Sequence, residues 1–345
     1  MIKNRKHIII VRSSTKGLSS LSQVSCNAIF EVLSKHFTKV DVSLINNVSD
    51  LDELVNKQPD LIFLGMEFIP SDSSLGLADP NKIWLSDVFD DQGIAYTGSS
   101  KIAHELGRNK PMAKQRILDM EIDTSAFCVI GQNKIMNMEE VAMNFPLFVK
   151  PANRGGGLGI DSNSLVHNFE ELLSKVRSIN IKLSSDALIE EYLPGREFSV
   201  AILKEEISNE YIAMPIELIA PQDKFGSRIL SGKIKSANTE QAIAVSDPII
   251  RAKIVRLALN VFKALDARDY GRIDIRLDVN GTPQFLEANL IPSLISDYGS
   301  FPKACILNAK LDYESMILQI VNLGLTRNNI DQESFIKKTP ILSKI

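Results

Sequence analysis

At 345 residues the chain is long enough for two or three domains, and 44% hydrophobic and 23% charged residues with 18 glycines describe an ordinary water-soluble globular protein. A net charge of −3 argues against a nucleic-acid partner, and no apolar run approaches the roughly 20 residues that cross a membrane, so neither kind of partner is expected. Three widely spaced cysteines (Cys26, Cys128, Cys305) and four scattered histidines show no metal-ligand spacing, which disfavours a zinc or iron centre and fits a reducing, cytoplasmic compartment.

Along the chain, residues 7 to 100 alternate short apolar runs with helical patterns: "HIIIVR", "SQVSCNAIFEVLSKHF", "KVDVSLI", "DLDELVNK", "DLIFLG", "DPNKIWLSDVFDDQG" and "IAYTGS". Strand and helix in alternation predict a parallel sheet with crossover helices, a Rossmann-like N-terminal domain. Its first turn, "RSSTKGLSS", has no G-x-G-x-x-G and offers no dinucleotide fingerprint. A helix near Ala103–Asp119 leads into "FPLFVKPANRGGGLGI", a short strand and a glycine-rich loop, followed by a second extended run, "GIDSNSLV". Gly155, Gly156, Gly157 and Gly159 would let backbone approach an anion, with Lys150 and Arg154 to neutralise its charge. A flexible surface turn explains the same residues, and the loop is not a Walker A motif, because its lysine precedes the glycines. After about residue 185 the chain becomes strand-rich, "DALIEEYLPGREFSVAIL", and is broken by a polar segment, Asp223 to Thr239. A helix then opens at Asp247-Pro248 and carries Ile250, Ile254, Leu257, Val261 and Leu265 on one stripe. Beyond Thr326 the sequence is a polar tail.

The stretch "GRIDIRLDVNGTPQFLEANLIPS" carries the most chemistry. Asn280-Gly281 between alternating runs predicts a hairpin with a two-residue type I′ turn. If Val279 faces Thr282, Asp274 faces Glu287 and Arg272 faces Asn289, both pairs on one side of the sheet. Two facing carboxylates repel unless a cation lies between them, and with an amide oxygen beside them they are hard oxygen donors of the kind magnesium takes. The alternative is a solvated face over an apolar one of Ile273, Ile275, Leu277 and Val279.

Together, the Rossmann-like start, "VKPANRGGGLGI", "LIEEYLPGREFSV", "GRIDIRLD" and "FLEANLIPS" occur in an order that resembles the D-alanine–D-alanine ligase family of the ATP-grasp superfamily, over about residues 5 to 325. The resemblance implies an α/β fold, with α+β character in its C-terminal part. The domains would be a Rossmann-like domain at 1–105, a central lid domain at 106–185 carrying the glycine-rich loop, a C-terminal domain at 186–325 with a mainly antiparallel sheet, and a tail at 326–345.

It also implies ATP and two Mg2+ ions, with Mn2+ a possible substitute, small-molecule carboxylate and amine or amino-acid substrates, and a homodimer. Lys110 and Lys150 would touch the phosphates beneath the 155–159 loop, and Lys233 would be a further phosphate-contacting lysine. Glu190 and the backbone around Tyr192 would hold adenine, and Glu197 the ribose. Asp274, Glu287 and Asn289 would bind the metals, Arg272 would face the substrate oxyanion, and Ser293 would border the substrate.

The implied activity is ATP-dependent amide formation through an acyl phosphate. Departures concern the amino-acid pocket. No Asp or Glu occurs from Arg12 to Phe30, where the family has a glutamate; Gly156 and Gly157 replace loop serines, Met66 and Ile234 depart from L-H-G and a tyrosine, and Ser293 replaces a glycine. The expectation is a ligase for a pair other than two D-alanines. A D-alanine–D-alanine ligase with a divergent pocket, or an ATP-binding protein without catalysis, are the alternatives.

Overall fold

The computed structural model describes residues 3–338 except Lys16, Asn133, residues 135–140, residues 223–225, Asn238 and Asp297. Parts of the expected polar segment from Asp223 to Thr239 and the end of the tail, residues 339–345, therefore lie outside the described residues.

The N-terminal region folds as its alternation requires. β1 (Asn4–Arg12), α1 (Gln23–His36), β2 (Phe37–Leu44), α2 (Val48–Asn56) and β3 (Leu61–Leu64) build a parallel sheet in the order β2-β1-β3. Ile8 and Ile10 pack into one core with Ile29 and Leu33 of α1, while Ile9 and Val11 pack into another with Leu51 and Leu54 of α2. Burial on both faces is why β1 reads as an unbroken apolar run. The next segment departs from its helical pattern: β4 (Phe68–Pro70) and β5 (Lys82–Trp84) form an antiparallel hairpin before α3 (Leu85–Asp91). Asp79 accepts from the backbone of both Asp72 and Asn81, closing that hairpin instead of capping a helix. "IAYTGS" adds only one bridge, between Ile62 and Tyr96, not a strand.

The helix expected near Ala103–Asp119 is two, α4 (Lys101–Arg108) and α5 (Lys110–Asp119). Asn109 caps α5 by accepting from Met112 N, and Pro111 lacks the donor that a continuous helix would use. The break puts Lys110 at a helix start, where its backbone N–H donates to Ala152 O at 3.2 Å.

β6 (Phe127–Ile130), β7 (Leu147–Pro151), β8 (Leu165–Val166) and β9 (Ala187–Glu191) form an antiparallel sheet in the order β6-β9-β7-β8, covered by α6 (Phe169–Leu183). The extended run expected after the glycines is mostly a tight turn, because Asp161 and Ser164 cap it reciprocally and leave only β8 as strand.

A five-stranded antiparallel sheet, β12-β11-β10-β13-β14, contains β10 (Glu197–Lys204), β11 (Tyr211–Ile219), β12 (Gln241–Ala244), β13 (Tyr270–Leu277) and β14 (Pro283–Asn289). A short helix, α7 (Gly232–Ala237), precedes β12. α8 (Pro248–Ala264) starts at the predicted cap, Asp247 accepting from Ile249 and Ile250, and buries Ile254, Leu257 and Val261 against Ile273 and Ile275 of β13. α9 (Ser300–Ala309) and α10 (Tyr313–Lys338) follow. α10 does not stop at Thr326: Arg327 within it pairs with Asp269.

The β13–β14 connection corrects the expected turn. Asp278 N donates to Thr282 O and Gly281 alone takes a left-handed φ of 75°, so the loop is not the two-residue type I′ turn, which would need Asn280 left-handed too. Near the turn Leu277 faces Pro283 and Ile275 faces Phe285; a bulge at Leu286 then restores Asp274 opposite Glu287 and Arg272 opposite Asn289. The expected pairs at the site are therefore present, although the turn is different. Val279 is exposed and does not join the apolar face.

Candidate active site

Alternation along β13 sends Ile273 and Ile275 into the core and Arg272, Asp274 and Arg276 to the opposite face. That face floors a cavity of about 470 Å³, roofed by Arg154, Gly155 and Gly156 and reached from the N-terminal sheet by Ser19, Ser20 and Glu67. A smaller cavity of about 70 Å³ adjoins it between β9 and the β13–β14 hairpin, lined by Lys150, Glu190, Tyr192 and Leu286. Glu197, Lys235, Asp274 and Glu287 border both.

On the floor, Arg272 holds Asp274 with two hydrogen bonds of 2.9 and 2.8 Å, Ser199 donates to the same carboxylate at 2.8 Å, and Asn289 Nδ2 lies 3.4 Å away. Glu287 lies 3.5 Å from Lys110 Nζ. Burial works against its charge, but Lys110, Lys235, Lys150 and Arg272 together pull its carboxyl down to about 2. Two opposed carboxylates and an amide oxygen suit a hard cation. Magnesium commonly takes one or two carboxylates and completes its shell with water and substrate phosphates, so a donor set of this size suffices. The residues present fit the ion.

The smaller cavity is organised by a buried triad that spans three elements. Glu190 lies 2.6 Å from Lys150 Nζ and 3.0 Å from Lys114 Nζ, and Lys114 also donates to Thr124 and Ser125. Burial favours a neutral Glu190, but Lys150 and then Lys114 overcome it and hold the carboxyl below its ordinary value. The Lys150 ammonium is raised in spite of burial, chiefly by Glu190, whereas burial lowers Lys114. Glu197 is the contrasting carboxyl: burial pushes it up, Asp274 and Glu287 add to that, and Arg276 at 3.0 Å opposes it. Tyr192 lies under Arg276, 5.4 Å from its guanidinium carbon.

The glycine-rich loop is seated against α7. Gly157 has φ 74°, and a Cβ there would come within 2.8 Å of Gly232 N, whereas Gly155 and Gly156 face open space. Beneath them Lys110 Nζ donates to Arg154 O. Gly157→Ala is expected to cost about 1–2 kcal/mol for its left-handed backbone, with a further cost where the methyl meets α7. Faster proteolytic cleavage in residues 153–160, together with a lower unfolding midpoint, would show it; wild-type resistance would contradict this seating.

The sequence-predicted residues Lys110, Gly155, Gly156, Glu197, Arg272, Asp274, Glu287, Asn289 and Ser293 gather at the larger cavity, and Lys150, Glu190 and Tyr192 at the smaller one. Gly157 and Gly159 are set back from it, Gly159 against Pro151 and Leu183. Lys233 is exposed and lines neither cavity, while Lys235 lines both, because the helical turn of α7 rotates the two lysines to different faces. The Glu190 carboxylate is engaged by Lys150 and Lys114, and Glu191, Tyr192 and Leu193 also line the smaller cavity.

Residues 118–322 match the family model described as the D-ala D-ala ligase C-terminus. The chain belongs to the D-alanine–D-alanine ligase family. The D-alanine–D-alanine ligase of Desulfotalea psychrophila is 24% identical over 329 residues, covering 94% of this chain and 96% of that protein. That of Hydrogenovibrio crunogenus is 28% identical over 240 residues, 69% of this chain and 72% of the relative. The crystal structure of a D-alanine–D-alanine ligase from Bacillus anthracis complexed with ATP superposes with a TM-score of 0.73 at 19% identity, covering 94% of this chain and 99% of that one. The α/β architecture is accordingly the ATP-grasp fold of this family.

Sequence reasoning missed three residues in and around these cavities: Lys114, Arg276 and Lys235. Two had a signal. Lys114 follows Lys110 at helical i, i+4 spacing, and Arg276 continues the face of Arg272 and Asp274 at strand period two. Lys235 had none, because the register of a six-residue helix cannot be read from its sequence.

Proposed function

We propose that the protein is an ATP-dependent carboxylate–amine ligase that forms an amide through an acyl phosphate and releases ADP and phosphate. The observation that carries this reading is the meeting, in one cavity, of Lys110, Lys235, Arg272, the glycine-rich loop and the Asp274–Glu287–Asn289 donor set. A carboxylate repels nucleophiles, and taking the γ-phosphoryl group of ATP gives it a leaving group; an amine can then add and expel phosphate. Such transfer depends on positioning and on charge cancellation. Lys110, Lys150 and Lys235 supply positive charge toward the phosphates, the smaller cavity receives adenine, and Glu197 the ribose. Asp274, Glu287 and Asn289 would hold Mg2+, with Mn2+ a substitute, which supplies charge neutralisation on the phosphoryl oxygens. Arg272 faces the oxyanion that forms when the amine adds, and the loop at 155–159 keeps water from the acyl phosphate. Domain boundaries near residues 105 and 185 would put this cavity where three domains meet.

We further propose a substrate pair other than two D-alanines. At the N-terminal end the cavity is bordered by Gly17, Ser19 and Ser20, with no acid from Arg12 to Phe30 to hold an ammonium group. Near full-length similarity to the Desulfotalea psychrophila enzyme favours the second reading, a D-alanine–D-alanine ligase with a rebuilt pocket. Phosphate release with ATP and magnesium, across D- and L-amino acids and small carboxylates alone and in pairs, tests both. A product mass equal to two substrates less water establishes ligation and names the pair; efficient D-alanyl-D-alanine formation selects the second reading. Absence of turnover with ATP bound defeats both.

The choice between the two lysines carries its own test. Lys235→Met is expected to lower kcat/KM for ATP about 100-fold, near 2.7 kcal/mol, and Lys233→Met to change it less than about twofold; the reverse ranking would restore the original assignment.

A further inference from the structure

Five carboxylates line the larger cavity: Glu67, Glu197, Glu240, Asp274 and Glu287. Four of them have a cation within ion-pair distance, Arg108 at 3.2 Å from Glu67, Arg276 at 3.0 Å from Glu197, Arg272 at 2.8 Å from Asp274 and Lys110 at 3.5 Å from Glu287. Glu240, immediately before β12, has none among the described residues. Its Oε2 is buried and receives no hydrogen bond from the described residues. Lys235, the lining cation nearest in sequence, acts on the Glu197 and Glu287 carboxyls. Tyr298 also lines the cavity, and its hydroxyl is pushed up by burial and then by the charge of Glu240.

A carboxylate oxygen withdrawn from water with no donor facing it is costly, and a ligand that brings a positive donor removes the cost. Amide formation, the reading on which this inference rests, needs one substrate that arrives as an anion and one that arrives as an ammonium ion, since aliphatic amines are protonated at neutral pH. Cationic groups in the cavity serve the anion and the phosphates. Each of the other four carboxylates has a cation of the chain at ion-pair distance, and Asp274, Glu287 and Glu197 already have proposed roles toward the metal and the ribose.

We propose that Glu240 is the specificity-determining anchor for the ammonium group of the amine substrate, an aliphatic primary amine that enters beside Tyr298.

The test separates this inference from the ligase reading by using hydroxylamine, a nucleophile that is mostly uncharged at neutral pH and needs no ammonium anchor. Wild type and Glu240→Gln are assayed with ATP, magnesium and a donor panel of D-alanine, L-alanine, glycine and succinate, first with hydroxylamine to trap the acyl phosphate as hydroxamate, then with the same amino acids as amine acceptors. The expected result is hydroxamate formation and a KM for ATP within twofold of wild type in the variant, with at least a tenfold rise in KM for the amine and partial recovery in Glu240→Asp. Equal amine KM values in wild type and Glu240→Gln would overturn the assignment while leaving the ligase reading intact. Loss of hydroxamate along with the amine reaction would overturn it too, because the role would not be confined to the amine. A wild-type protein that forms no hydroxamate with any donor would defeat the ligase reading and this inference with it.

Discussion

Asp274→Asn is expected to lower the rate of ATP-dependent ligation at least about 1000-fold, some 4 kcal/mol of transition-state stabilisation, while the protein stays folded. Asparagine keeps the shape of the side chain and an oxygen for Arg272 and Ser199, but removes one of the two charges proposed to hold magnesium. The cost in stability is set by the Arg272 pair, whose members are 13% and 8% exposed at the cavity floor. Glu287 and Glu197 still act on the guanidinium after the change, so a loss of about 1–2 kcal/mol is expected. Single-turnover phosphate release together with thermal unfolding measures both quantities. Near wild-type turnover would remove Asp274 from the metal site, and collapse of the fold would mean that its structural role dominates.

The largest stability effect is expected at Glu190. Replacing it by glutamine leaves Lys114 and Lys150 facing a neutral group with almost no solvent to compensate, since the side chains of Glu190 and Lys114 are 3% and 0% exposed. Removing one partner of a buried ion pair costs about 3–5 kcal/mol. The pH dependence follows from the direction of the shift. The Glu190 carboxyl titrates below its ordinary range in the folded chain, so its stabilisation is complete above the unfolded value and is lost as pH falls through the folded one. The stability gap between wild type and Glu190→Gln should therefore be widest at neutral pH and close under acid conditions. Urea unfolding at several pH values reads it, and a gap that widens on acidification would contradict the triad. ATP affinity should fall in the same variant, because Lys150 loses its orienting partner.

These residues show how far the sequence was legible. Period two along "GRIDIRLD" identified the functional face, and its pairing with "FLEAN" identified the opposed carboxylates, because local alternation is a property of the strand itself. The turn between them was misread: Asn-Gly permits a two-residue turn, but Asp278 binds the backbone of Asn280 and Thr282 and favours the longer loop. The β4–β5 hairpin was hidden because Asp79-Pro80 resembles a helix start until Asp72 is seen to share the same carboxylate. Lys114 and Glu240 matter through partners distant in sequence, one by having them and one by lacking them, and no local pattern encodes either condition. The fold class was readable from the order of the elements, whereas the substrate end of the cavity, built from loops of all parts of the chain, was not.

The bulge at Leu286 has a consequence for change over time. In a plain hairpin, adding or deleting one residue at the tip turns every later side chain to the other side of the sheet. Here the extra residue in the β14 strand compensates for the tip, so the connection and the strand form a matched pair of irregularities. A shortened tip could be accepted if Leu286 were lost with it, and a tip altered alone would turn Glu287 away from Asp274. Variation in the length of this connection should therefore be accompanied by gain or loss of a residue just before Glu287.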